Sequence, residues 1–227
     1  MKKNLFLLLL ALPMVYLFSA CGSDDDEESS VSVSLTAANL TDDGYFDGIM
    51  YYKVTSNSPK EVAVVKAEKT ASVLEIPSKV NIEGDMYKCT SIGNNTFRSC
   101  SGLTSVTIPN SVTIIGDEAF YGCSGLTSVT IPNSVTNIGK GVFRYCSGLT
   151  SVTIGNSVTS IGEFAFYGCS GLTDVYCLAK NVPKTTTSIF NFSPIEYATL
   201  HVPAESVDAY KAVAPWSNFK QIVALSD

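Results

Sequence analysis

Cys100-Ser-Gly-Leu-Thr-Ser-Val-Thr-Ile-Pro-Asn-Ser-Val-Thr-Ile-Ile-Gly-Asp-Glu-Ala-Phe-Tyr-Gly122 is the first of three copies of one 23-residue unit that follow each other without a gap from Cys100 to Gly168. A period of this length is the signature of a solenoid. One turn cannot bury its apolar face alone, so identical turns stack and each position of the unit becomes a column along the coil. Such a molecule presents a long surface instead of one enclosed pocket, which favours binding or scaffolding over catalysis.

Within the unit, Leu103, Val106 and Ile108 recur as Leu126, Val129 and Ile131 and again as Leu149, Val152 and Ile154. Alternation of these residues with Ser105 and Thr107 is the period-two pattern of a short strand with one face in the core. Pro109 and Pro132 stop the strand, because proline has no donor for the ladder. A second apolar set, Val112, Ile115, Ala119 and Phe120, returns the chain along the other side of the coil. Gly116, Gly139 and Gly162 mark its bend, at an expected backbone conformation that penalises a Cβ.

The register extends into less regular sequence. Leu74, Ile76 and Pro77 precede Val106, Ile108 and Pro109 by one period plus nine residues, and Asn81 to Lys88 accounts for the insertion as a hairpin tip around Glu83-Gly84-Asp85. Downstream, Leu172, Val175 and Cys177 open a further turn, and Ala198-Thr-Leu-His-Val-Pro203 fits the strand template once more. The fold expected is mostly β with short helical or irregular return segments, a right-handed solenoid of about five turns.

The unit resembles the repeat of the BspA-type bacterial leucine-rich repeat surface proteins, Cys-x-x-Leu-x-x-Val-x-Ile-Pro-x-x-Val-x-x-Ile-Gly-x-x-Ala-Phe. Cys100 to Phe166 follows it nearly throughout, departing at Gly155 for proline and Val142 for alanine. The resemblance spans about residues 44 to 227. It implies a leucine-rich repeat coil with terminal caps, and adhesion or partner binding as the function, and it supplies no functional residues to carry over.

At the N-terminus, Met1-Lys2-Lys3 and the apolar run Leu5 to Phe18 form the charged and hydrophobic regions of a leader, and Phe18-Ser-Ala-Cys21 resembles a lipobox with Cys21 as the lipidated residue. The run contains Pro13 and is shorter than the roughly 20 residues of a membrane span. Asp24-Asp-Asp-Glu-Glu28 follows at once and resembles a surface-export tag; a solvated spacer is a compatible reading. These features imply an outer-membrane lipoprotein facing the cell exterior. Loss of Lys2 and Lys3 with the leader takes the formal net charge from −6 to −8, and five of those charges lie in the tag. No basic patch points to nucleic acid, and membrane attachment falls to the lipid.

The organisation expected is a leader over 1–20, an acidic tag and linker over 21–43, an N-terminal β cap over 44–70, the solenoid over 71–177, and a final turn with a C-terminal cap over 178–227. The N-terminal cap is a hairpin of Gly48–Thr55 and Glu61–Lys66. The C-terminal cap is a short helix over Ala204–Val213, with Val207, Tyr210 and Trp216 facing inward, then a strand over Phe219–Leu225. Caps are needed because an open coil end exposes core and a bare sheet edge.

Cys100, Cys123, Cys146 and Cys169 form a ladder at the repeat period, while Cys89 and Cys177 take template positions of Val112 and Ile108. All six suit buried free thiols. Parallel side-chain vectors disfavour disulfides, and a straight column cannot surround a zinc ion. With one histidine, His201, and no phosphate-binding glycine loop, no catalytic constellation is specified, so neither enzyme activity nor a cofactor is expected.

Candidate binding residues emerge where the outward columns stop being monotonous. One runs Glu75, Thr107, Thr130, Thr153, Tyr176, His201; its neighbour runs Val73, Ser105, Ser128, Ser151, Asp174, Thr199. Asp174, Tyr176 and His201 therefore gather at the C-terminal end of a Ser/Thr face, as a site for a sugar or a peptide side chain or as packing against the cap. On the return side, Arg98, Tyr121, Arg144 and Tyr167 alternate cation and aromatic, as a structural stack or a contact strip. The function expected is a surface-anchored binding or adhesion module whose partner is a host or bacterial surface protein or a glycan. A subunit of an envelope complex is the alternative.

Overall fold

A computed structural model describes residues 32–225. Lipidation at Cys21, the leader and the acidic tag lie outside the described residues. Seven short strands stack along one side of the coil: Val73–Glu75, Ser105–Thr107, Ser128–Ile131, Ser151–Ile154, Asp174–Cys177, Thr199–Val202 and Gln221–Ala224. The first two pair in parallel, as do the last five, with Val129 opposite Val152, Val152 opposite Val175 and Val175 opposite Leu200. This is a solenoid of about seven turns, not five. The expected cap strand is itself the seventh rung, since Leu200 pairs with Ile222 and Val202 with Ala224.

On the return side, two-residue strands Ile114–Ile115, Asn137–Ile138 and Ser160–Ile161 pair in parallel, one turn to the next. Between the two sides lies one continuous core containing every Leu, Val and Ile of the template together with Phe97, Phe120, Phe143, Phe166 and Phe190. The phenylalanines form a stack, with centroids 4.9, 5.3, 5.5 and 5.5 Å apart.

The N-terminal hairpin consists of Met50–Asn57 and Lys60–Ala67, and its second strand joins the return-side sheet in parallel with Asp85–Ile92. The insertion is the expected hairpin, Lys79–Ile82 against Asp85–Ile92, with Glu83 and Gly84 both at positive φ in its two-residue turn. A correction concerns the linker expected to reach residue 43. Ser32–Leu35 is a strand paired in parallel with Lys79–Ile82, and Leu35 is buried at 2% exposure, so this segment belongs to the cap. At the other end the helix is shorter than expected, Val207–Lys211 after a 3-10 turn at Ala204–Ser206. Tyr210 and Trp216 are fully buried and Val207 partly so.

The bend glycines call for a second correction. Gly116, Gly139 and Gly162 are absent from the positive-φ positions, so backbone conformation is not what requires them. Close approach is. A Cβ on Gly139 would stand 2.7 Å from Asp117 Oδ1 and 2.8 Å from both the Asp117 nitrogen and the Gly116 carbonyl carbon of the preceding turn. Asp117 Oδ1 is also the acceptor for the Lys140 N–H, at 2.7 Å, so it cannot withdraw without losing that bond. Gly139→Ala is therefore expected to cost about 1–3 kcal/mol by overpacking, measured by urea denaturation; an unchanged midpoint would refute close approach as the reason.

Each described cysteine is buried and free. Cys123, Cys146 and Cys169 donate through Sγ to the carbonyls of Phe97, Phe120 and Phe143 at 3.1–3.2 Å, and Ser193 replaces the thiol in the next turn, donating to Phe166 at 2.6 Å. The column thus needs a small donor as well as a small apolar group. Burial pushes the Cys89 and Cys169 thiols up to about 12.

Candidate functional site

Parallel pairing of Asp174–Cys177 with Thr199–Val202 places Tyr176 directly opposite His201, and Asp174 opposite Thr199. Because side chains alternate across a strand, Val175, Cys177, Leu200 and Val202 enter the core while Asp174, Tyr176 and His201 share the outward face. The three expected residues are brought together. His201 lies flat on Tyr176, with ring centroids 4.2 Å apart and planes at 10°, and its Nε2 is 3.0 Å from Asp174 Oδ1. Thr173 donates from its hydroxyl to Asp174 Oδ2 at 2.9 Å, which fixes the carboxylate. The side chains of His201 and Asp174 remain 22% and 38% exposed. Stacking and the Asp174 contact together hold the imidazole in one orientation, giving a stacked aromatic pair bordered by a carboxylate.

The seventh rung adds neighbours that sequence reasoning missed. Gln221 lies beside Thr199 and Val223 beside His201, extending the row by one apolar side chain. Farther back the face also has relief. No ladder joins Ser105–Thr107 to Ser128–Ile131, and a shallow depression of about 510 Å3 lies over this seam, lined by Ser105, Thr107, Ser128, Thr130 and Asn133 among others. Adjacent turns have the same sequence there, so nothing in the residues marks the break.

On the return side the Arg98–Tyr167 column forms a stack: the Arg98 guanidinium is 4.0 Å from the Tyr121 ring centroid, and that of Arg144 is 6.0 Å from Tyr121 and 4.7 Å from Tyr167. Arg98 is also paired with Glu118.

The sequence profile described as the BspA type leucine rich repeat region matches residues 90–211 in six copies. The chain belongs to the BspA-type leucine-rich repeat family. Solved structures similar to this BspA-type chain include a leucine-rich repeat protein from Bacteroides capillosus ATCC 29799 (20% identity, 71% of this chain and 99% of that one, TM-score 0.45). The leucine rich repeat protein of T. pallidum is 18% identical over 80% of this chain and 83% of that one, with a TM-score of 0.49. A leucine rich cell surface protein from Faecalibacterium prausnitzii A2-165 is 17% identical over 78% and 72%, with a TM-score of 0.29. No curated protein matches the chain.

Proposed function

We propose that this BspA-type protein is a surface-anchored lipoprotein that acts as a binding and adhesion module, held to the outer membrane through Cys21 and facing the cell exterior. Its partner is a host or bacterial surface protein or a glycan. The observation that carries the binding reading is the partly exposed Tyr176–His201 stack with Asp174 at its edge, at the C-terminal end of the strand face where aromatic and charged side chains replace the Ser and Thr of the middle turns. An aromatic pair beside a fixed polar group suits a sugar ring or a peptide side chain. The anchoring reading rests on the lipobox and the acidic block after it.

Binding of the purified protein to an array of glycans and matrix proteins tests the site. Tyr176→Ala and His201→Ala are each expected to weaken binding about tenfold, with a stability loss below roughly 1 kcal/mol, the order of one exposed stacking contact. Thr130→Ala, on the same outward column, is the matched control and should leave both unchanged. If both aromatic variants lower stability further and spare binding, the cluster packs against the cap and the site assignment fails.

A further inference from the structure

Five successive turns place one residue each in the same left-handed backbone position: Ser99, Gly122, Tyr145, Gly168 and Phe192, with φ between 60° and 70°. A neighbouring position repeats the conformation at Asn95, Glu118, Gly141 and Phe164. Glycine and asparagine tolerate it; a bulky aromatic residue there is an outlier. Tyr145, Phe164 and Phe192 are thus held under backbone strain, and burial does not compensate for all of it. Phe192 is 78% exposed and Tyr145 41% exposed, while the core is already filled by the separate phenylalanine stack. Strain kept at residues outside the core is a mark of functional positions.

The three strained aromatics meet on one edge of the coil. Tyr167 is the hub, 5.4 Å from Tyr145, 5.7 Å from Phe164 and 5.0 Å from Phe192 by ring centroids. Gly168 makes the approach feasible, since a Cβ there would stand 2.7 Å from the Tyr145 ring. Arg144 lies among them, its guanidinium 4.9 Å from Tyr145, 4.7 Å from Tyr167 and 5.4 Å from Phe164. The other cations of this edge have carboxylate partners, Arg98 with Glu118 and Lys140 with Glu163. Arg144 has none among the described residues, and its Nε is buried without a hydrogen-bond acceptor.

An aromatic centre containing one unpaired arginine and bordered by ion pairs has the composition of a protein-recognition hot spot, where Tyr and Arg are enriched and charged groups form the rim. The ring geometry narrows the choice of occupant. Tyr145 and Phe164 meet Tyr167 edge-on, at 89° and 81°, so the rings do not line up as the flat plate a sugar chain stacks on. We propose that this edge is a second recognition surface, separate from the strand-face cluster, that docks a protein segment presenting a carboxylate flanked by apolar side chains. The carboxylate pairs with Arg144, and the apolar groups seat against Tyr145, Tyr167 and Phe192.

The test uses the full lipidated chain in detergent micelles and an array of dodecapeptides in which Asp alternates with Phe or Leu. Matched peptides carry Asn for Asp or Ser for the apolar residues, and a uronic-acid oligosaccharide series is included. The Asp–apolar peptides are expected to bind at least tenfold more tightly than either control. Arg144→Gln, Tyr145→Gly and Phe192→Gly should each weaken that binding about tenfold, while Tyr176→Ala leaves it unchanged. The two glycine variants carry the distinguishing readout: their melting temperatures should be unchanged or raised, because glycine relieves the left-handed strain. The proposal is overturned if the array shows no preference for Asp–apolar peptides or if the oligosaccharides bind in their place. It is equally overturned if the glycine variants lose stability and keep binding, or if their measurable effect is loss of self-association.

Discussion

Replacing Phe143 by alanine is expected to destabilise the protein by about 3–5 kcal/mol, the range for truncating a large buried aromatic side chain. Phe143 is fully buried in the middle of the phenylalanine stack, 5.3 Å from Phe120 and 5.5 Å from Phe166, with both ring planes within 8° of its own. Neither neighbour can close the gap by tilting without losing its own contact on the far side, so most of the cavity persists. Its carbonyl also accepts the Cys169 thiol, and its N–H donates to the Ala165 carbonyl at 2.8 Å, so the backbone is held while the ring is removed. Since stacked turns share one interface, the loss should appear as a cooperative shift of the whole urea transition. A cost below about 0.5 kcal/mol, the level of surface substitutions, would mean the ring does not occupy the core.

Trp216→Ala is expected to cost a similar amount, about 3–5 kcal/mol, but with a local signature. Trp216 is fully buried at the C-terminal end of the coil, edge-on to Phe190 at 5.5 Å and to Tyr210 at 5.4 Å. Tyr210 in turn donates to the Ala179 carbonyl at 2.8 Å and meets Cys177 Sγ at 3.1 Å, tying the helix to the fifth rung. Removing the indole leaves no polar group newly unsatisfied among the described residues, where its Nε1 has no partner. The cost is therefore one of packing, and amide exchange at Gln221–Ala224 should accelerate before that of the central turns. Uniform exchange across all rungs, or a loss under about 1 kcal/mol, would contradict this role. As Val223 sits beside His201, the same variant should also weaken binding at the strand face.

The solenoid was legible because two signals coincide in Cys100–Gly168: strict alternation within each strand and an unbroken 23-residue period between them. Where one signal lapses, the reading falters. Gln221-Ile-Val-Ala224 lacks the Leu-x-x-Val-x-Ile template and follows a helix in place of a standard return segment, so it read as a cap strand although it completes the seventh rung. Ser32–Leu35 offers one buried residue, Leu35, in a polar stretch, and its partner strand is more than 40 positions away. No local pattern announces such a pairing. The glycines illustrate a different limit: their recurrence was visible, but conformation and close approach leave the same trace in a sequence, and only the distances at Gly139 separate them.

Asp174, Tyr176 and His201 could be found because they break the Ser and Thr run of the middle turns, and correct register alone is enough to bring them together. Tyr145, Phe164 and Phe192 escaped notice because they fall in the loosely repeated part of the unit. Left-handed backbone is not written in an aromatic residue's identity. The available signal was indirect: Gly122 and Gly168 occupy the same column as Tyr145 and Phe192, at a position glycine fills without strain.

Proteinase K digestion of intact cells carrying the native protein tests the claim of a surface-anchored module most directly. Cell-associated solenoid should disappear as completely from intact cells as from lysed ones. Cys21→Ala should abolish the cell-bound form by releasing the protein or leaving it unprocessed, and neutral residues at Asp24 to Glu28 should keep lipidation but confer protection. A solenoid that resists the protease until the outer membrane is broken, with the same outcome for native and tag-neutralised protein, would contradict the account and place the coil inside the envelope.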